Sequence, residues 1–118
     1  MAVSETQEWD THRSPDDAIE AVAQHISERL GGRVVRLESG YVEGRCGAWL
    51  KTRFLGGTAV SDRDLPLRLA VWAKNGAQGA RLRAEVADGV GFGARLGMEA
   101  KLAKRIEAVL EELAFATT

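Results

Sequence analysis

The stretch that decides the fold is LPLRLAVWAKNGAQGARLRAEVAD, residues 65–88. Apolar and polar side chains alternate on both sides of Asn75-Gly76, a dipeptide typical of two-residue β-hairpin turns. If Lys74 faces Ala77 across that turn, one face of the two strands, Leu65–Lys74 and Ala77–Asp88, collects their apolar residues. These are Leu65, Leu67, Leu69, Val71, Ala73, Ala80, Leu82, Ala84 and Val86. The segment therefore predicts a half-buried antiparallel hairpin.

A second hairpin is predicted just upstream, in residues 33–55. Arg33–Glu38 is a short β-branched strand, Ser39-Gly40 is a turn, and Tyr41–Leu55 is the returning strand. Because a 15-residue strand is unusually long, we expect a bulge or bend near Gly44 or Gly47. The apolar face predicted by side-chain alternation contains Val35, Leu37, Val42, Cys46, Ala48, Leu50, Thr52 and Phe54.

Amphipathic helices flank the predicted strands. Ser14 is a favourable N-cap and Pro15 a favourable first helical residue, while Gly31-Gly32 predicts the end of the first helix. Its apolar residues follow helical spacing: Ile19, Val22, Ala23, Ile26 and Leu30. A last helix is predicted from Gly97 to Phe115, with an apolar stripe of Met98, Leu102, Ile106, Val109, Leu110 and Leu113.

These elements predict one α+β domain with the order α-β-β-β-β-α. No helix separates the strands, so parallel crossovers are excluded and the sheet is a four-stranded antiparallel meander. Both helices are expected to cover its single apolar face. Residues 14–118 form this domain, and residues 1–13, which lack periodicity, are expected to be a flexible acidic arm.

Composition narrows the classes of function. The single cysteine, Cys46, excludes an intrachain disulfide and a multi-cysteine zinc site within one chain. There is no secretory pattern and no apolar run of about 20 residues, so we expect a cytoplasmic protein that does not span a membrane. No acid, base and nucleophile combine into a recognisable catalytic set, so we expect neither an enzyme nor a cofactor or metal site.

The polar face of the predicted sheet carries an unusual set of side chains. It combines tryptophans with a surplus of cations, although the whole chain has a net charge of −1. The candidate binding surface consists of Arg45, Trp49, Lys51, Arg53, Arg68, Trp72, Lys74, Arg81 and Arg83. Aromatic and arginine side chains are enriched in the centres of protein interfaces.

Four interpretations of this surface remain open. The first predicted function is a non-enzymatic protein-interaction module, with a homodimer as one form of it. The acidic N-terminal segment would supply compensating charge in cis or from a second subunit. The second is binding of nucleic acid or another polyanion, which the pI of about 6.1 disfavours. The third is a small apolar ligand between sheet and helices. The fourth is a solvated face on which arginines cover the tryptophans.

Three weaker patterns have ordinary structural explanations. The glycine-rich segment 88–93 resembles neither a dinucleotide nor a Walker fingerprint, so a strand-to-helix bend is the simpler interpretation, although anion binding by Gly89–Gly97 stays open. A Cys46–His25 nucleophile pair requires the first helix to cross the second strand. Asp62 and Asp64 flank Arg63 in a pattern more typical of a solvated turn than of a cation site.

Overall fold

The computed structural model describes residues 4–47, 66–88 and 99–118. These residues form five strands and two helices. The strands are β1 (Ser4–Thr11), β2 (Arg33–Glu38), β3 (Tyr41–Cys46), β4 (Leu67–Asn75) and β5 (Ala80–Asp88), and the helices are α1 (Pro15–Glu28) and α2 (Glu99–Ala116). No helix in this part of the chain is long and apolar enough to cross a membrane.

The predicted α+β class with an antiparallel sheet and two flanking helices is confirmed. The strands form one antiparallel sheet in the order β1-β5-β4-β3-β2, so the predicted meander runs from β2 to β5. The sheet has five strands rather than four, because an additional strand pairs with the outer side of β5.

The fifth strand corrects the prediction of a flexible acidic arm at residues 1–13. Ser4–Thr11 forms β1, whose Thr11 pairs with Ala80 and whose Ser4 pairs with Ala87. Trp9 anchors the strand, because its side chain packs against the core and its Nε1 donates a 2.8 Å hydrogen bond to Thr117 Oγ1 at the end of α2. The hydroxyl of Thr11 donates to the carbonyl of Thr117. The polar sequence hides this strand because only one of its faces is covered.

The first hairpin has the predicted turn, in which Glu38 pairs with Tyr41. The bulge that was expected near Gly44 lies in β2 and not in β3, because the register shifts between Val34 and Arg36. These two residues pair with Gly44 and Glu43 of β3. Of the apolar face predicted there, Val42 and Cys46 are buried, whereas Val35 and Leu37 are exposed. The edge position of β2 explains the exposure of Leu37. The bulge explains that of Val35, because Val34 pairs with Gly44 and lies on the helix face in its place.

The second hairpin has the predicted apolar face but a different turn. Asn75 pairs with Ala80 and Lys74 with Arg81, so residues 76–79 form a four-residue connection in place of the two-residue turn at Asn75-Gly76. The shift is an even number of residues, so the alternation of faces survives. The buried set contains Leu67, Leu69, Val71, Ala80, Leu82, Ala84 and Val86.

The two helices lie on the apolar face of the sheet. Ser14 caps α1 by accepting a 3.2 Å hydrogen bond from the backbone N–H of Asp17. Gly31 has a φ of 63°, the left-handed conformation that stops a helix. The stripe of α2 is buried at Leu102, Ile106, Val109, Leu110 and Leu113. Burying one Leu or Ile side chain stabilises the fold by about 1.5–3 kcal/mol, so this layer holds sheet and helices together.

Candidate functional site

The structure places six of the nine predicted surface residues on the open face of the sheet. Trp49, Lys51 and Arg53 lie outside the described residues. The other six are on β3, β4 and β5 with their cross-strand neighbours: Arg45, Arg68, Trp72, Lys74, Arg81 and Arg83. They do not form one patch, because they occupy two ends of the sheet separated by the row that pairs Glu43, Ala70 and Glu85.

At one end, which we call the paired end, Arg81 has carboxylate partners and Arg83 lies over an aromatic ring. Trp72, Arg83, Lys74 and Arg81 are the four members of this group. Arg81 Nη1 lies 3.0 Å from Asp10 Oδ2, and Arg81 Nε lies 4.0 Å from Glu8 Oε1. The β1 carboxylates therefore compensate this end in cis.

The tryptophan at the paired end is covered by its neighbours. The guanidinium carbon of Arg83 lies 5.5 Å from the centre of the Trp72 ring, and the Tyr41 ring lies 5.4 Å away at 47°. Such a stack shields part of the indole, yet 39% of Trp72 remains exposed. The paired end thus fits a solvated arginine-covered face, with one aromatic surface still available to a partner.

At the other end three arginines stand in register. Arg33 pairs with Arg45, and Arg45 pairs with Arg68, so the three occupy adjacent positions on β2, β3 and β4. Directly opposed side chains of an antiparallel pair have Cβ atoms roughly 5 Å apart, and like charges at that distance are destabilising. All three are exposed, and among the described residues none of the three makes an ion pair or side-chain hydrogen bond. We call this group the arginine row.

A cavity borders the arginine row. It has a volume of about 450 Å³ and lies at the end of β3, the start of β4 and the turn after α1. Its lining combines the three arginines with glycine backbone and apolar groups: Gly31, Gly32, Arg33, Arg45, Cys46, Gly47, Pro66, Leu67 and Arg68. Small-molecule sites have volumes of roughly 300–1,000 Å³, so this cavity is large enough for a small ligand.

Gly32 keeps the turn after α1 close to β3. A Cβ added at Gly32 would lie 2.4 Å from the carbonyl oxygen of Arg45 and 2.8 Å from Cys46 Cβ. No side chain can be accommodated at that distance from backbone, so the close approach that forms one wall of the cavity requires glycine.

The thiol in this cavity is not activated. Burial raises the pKa of Cys46, the nearby Arg105 guanidinium opposes that effect, and Glu112 adds to it. A protonated thiol is a poor nucleophile. Cys46 therefore contributes apolar surface to the cavity, as expected for a buried cysteine.

His25 lies between the helices, in a cluster with Glu112 and Arg105. Its Nε2 is 4.0 Å from Glu112 Oε1, and Glu112 Oε2 is 3.7 Å from Arg105 Nη1. Burial lowers the pKa of His25, Glu112 raises it, and Arg29 and Arg105 lower it further. Arg105 and Glu112 act on the pKa of both His25 and Cys46, but the buried Nε2 of His25 has no hydrogen-bond partner, so it makes no hydrogen bond to Cys46.

Sequence reasoning missed two parts of the site. Arg33 was not among the predicted surface residues, and only the observed bulge places it beside Arg45. Glu8 and Asp10 were assigned to an arm, because residues 4–11 contain one large apolar residue, Trp9, and show no apolar–polar alternation that would indicate a strand. Asp62, Asp64 and the glycine-rich segment 89–97 lie outside the described residues. Within those residues no cluster of three or more His, Cys, Asp or Glu side chains could hold a metal ion.

Comparison with known proteins gives the fold and no function. No family model matches the chain, and no curated protein matches it significantly. The crystal structure of protein MLL2253 from Mesorhizobium loti is similar over 98% of this chain and 99% of that chain, with a TM-score of 0.54 and 12% identity. Ara h 8.0201 covers the same shares with a TM-score of 0.46 and 9% identity, which is too distant to support an argument. The chain therefore shares its overall fold with MLL2253.

Proposed function

We propose that this chain is a non-catalytic binding protein for a small amphiphilic anion, held where the arginine row meets the adjoining cavity. The observation that carries the proposal is the uncompensated row of Arg33, Arg45 and Arg68. Three adjacent cations with no carboxylate in ion-pairing distance raise the electrostatic energy of the free protein, and an anionic group placed among them lowers it.

The cavity supports the amphiphilic part of this proposal. Cys46 and Leu67 are buried on the helix side of the sheet, whereas Arg45 and Arg68 next to them are exposed on the open face. The cavity reaches both sets around the strand ends. A ligand with a carboxylate or phosphate at one end and an apolar body at the other satisfies both surfaces, and guanidinium groups bind such anions by charge-assisted hydrogen bonds.

Isothermal titration calorimetry with three probes tests the proposal. Decanoate carries both features, decanol lacks the charge, and inorganic phosphate lacks the apolar body. We expect decanoate to bind at least about tenfold more tightly than either of the others, the difference a single good charge-assisted contact supplies. Equal affinities for decanoate and decanol would contradict the role of the row.

Matched variants locate the binding. Arg45→Ala and Arg68→Ala should each weaken decanoate binding, whereas Arg81→Ala removes an arginine from the same face at the paired end and should leave binding unchanged. Equal losses from Arg45→Ala and Arg81→Ala would show that the probe senses only the total charge. Binding should also weaken with salt, because exposed charges are screened within about 10 Å at 0.1 M.

A protein-interaction role for the face is the second candidate, and the 39% exposure of Trp72 favours it. Light scattering of the wild type and of Trp72→Ala tests it, since a partner or second copy seated on the indole should be lost with the ring. Nucleic-acid binding is less favoured. On the described open face seven basic residues meet five acidic ones, so most of the positive charge is compensated.

A further inference from the structure

The outer edge of β2 carries exposed apolar side chains. β2 ends the sheet order of the described strands, so the backbone on its outer side faces away from β3. Leu37 is 59% exposed and Val35 is 42% exposed, both unusual for large aliphatic residues. An edge strand of this kind is a template for pairing with another strand.

The β2 sequence is complementary to itself in one antiparallel register. When Arg33 lies opposite the partner's Glu38, Val34 lies opposite the partner's Leu37 and the bulge residue Val35 lies opposite the partner's Arg36, and the twofold relation repeats each pair. The two outer pairs must each lie on one face of the combined sheet. Arg33 and Glu38 are on the open face, since they pair with Arg45 and Tyr41, and Val34 and Leu37 are on the helix face, since they pair with Gly44 and Val42.

The bulge makes this register possible. In a regular strand residues 33 and 38 would lie on opposite faces, because side-chain direction alternates along the chain. The register shift between Val34 and Arg36 inserts one extra residue and reverses the alternation.

We propose that the chain forms a homodimer through antiparallel pairing of its β2 edges, with Arg33 of each subunit opposite Glu38 of the partner subunit. The pairing covers Leu37 with the partner's Val34 and joins the two sheets into one. This interface differs from a dimer that packs the open faces together.

The dimer also completes the surface described above. In the dimer Arg33 lies beside the partner's Glu38. The partner's Glu38 pairs with the partner's Tyr41 on the next strand, and the partner's Tyr41 pairs with the partner's Trp72 on the strand after that. Neighbouring strands lie about 4.8 Å apart, so the partner's aromatic pair lies two to three strands from Arg33. The partner's Glu38 then compensates Arg33, so Arg45 and Arg68 remain the cations of each row without a carboxylate partner.

Charge reversal gives a direct test by sedimentation velocity over about 1 µM to 1 mM protein, a range that covers weak and moderate dimers. Arg33→Glu places two glutamates opposite each other at both ends of the interface, and Glu38→Arg places two arginines there. Each variant alone should dimerise about tenfold more weakly than the wild type, because attraction is replaced by repulsion at two positions. A one-to-one mixture restores both opposite-charge pairs and should dimerise like the wild type.

Glu107→Arg is the matched control, because it reverses an exposed charge on α2 far from the edge and should leave dimerisation unchanged. Recovery in the mixture shows that both variants are folded, since a misfolded chain cannot restore the interface. The proposal is overturned if the wild type is monomeric throughout the range, if either single variant dimerises like the wild type, or if the mixture associates no better than its components.

Discussion

The paired end and the arginine row are built from the same residue types on the same face of one sheet, yet their electrostatics differ. β1 runs along β5 so that Glu8 and Asp10 lie opposite Arg83 and Arg81, whereas Ser4 and Thr6 lie opposite Ala87 and Glu85. The acidic residues of β1 therefore reach one end only. A count of basic residues on a face does not identify a binding surface. The cross-strand register decides which cations are already satisfied.

The largest expected effect comes from undocking β1. Trp9→Ala removes a partly buried indole and its hydrogen bond to Thr117. We expect the free energy of unfolding to fall by roughly 2–3 kcal/mol, somewhat below the cost of truncating a fully buried tryptophan. Urea unfolding measures the change. Trp9→Phe keeps most of the apolar contact and should cost clearly less. An unchanged stability in Trp9→Ala would mean that β1 is not held by this contact.

The second change makes the arginine row resemble the paired end. Ala87 lies opposite Arg68 on β5, so Ala87→Glu places a carboxylate beside the row as Glu8 and Asp10 do at the other end. We expect decanoate affinity to fall about tenfold, since an internal anion competes with the ligand. Ala87→Gln supplies a similar side chain without charge and should have a smaller effect. Equal losses in the two variants would indicate a steric effect.

The third change makes the paired end resemble the arginine row. The double substitution Glu8→Gln and Asp10→Asn removes the carboxylates that pair with Arg81. Because these groups are largely exposed, we expect unfolding free energy to fall by less than about 1 kcal/mol. The loss should shrink further at 1 M salt, where the screening length is about 3 Å. A larger, salt-independent loss would point to packing in place of charge pairing.

The smallest expected effect concerns His25, a titratable side chain on the helix side of the sheet. Burial lowers the pKa of His25 below its usual 6.5, so the unfolded chain binds a proton before the folded chain does as pH falls. Stability should therefore be fully present above pH 6.5 and decrease as the pH is lowered from there through the folded pKa. His25→Gln should flatten this part of the stability profile, measured by urea unfolding between pH 7.5 and 5. An identical slope in both proteins would assign the pH dependence to other groups.

The fold was predictable where alternation and capping agree, and less so where only one face of an element is covered. The helix α1, the stripe of α2 and the buried face of β4 and β5 follow from the sequence because each contains several apolar residues at one period. β1 was not predicted because Trp9 is its single large apolar residue and because β5, the strand with which it pairs, lies about 75 residues away in the chain. Local pattern carries no information on such pairing.

The candidate site was predictable in composition and not in arrangement. Arg45 and Arg68 were expected on the open face from alternation alone. Arg33 lies beside Arg45 only because of the bulge in β2. Arg81 differs from the arginine row because the β1 carboxylates lie next to it. Both are properties of register between strands, which a single turn prediction fixes only locally.

The hydrogen bonds from Trp9 and Thr11 to Thr117 bring residues from opposite ends of the chain together. During synthesis β1 emerges well before β5 and the end of α2, so β1 has no partner until those later elements have been made. Such long-range closure raises contact order and slows folding. The nascent chain thus exposes an unpaired strand while it waits, and the polar, acidic character of β1 limits aggregation during that interval.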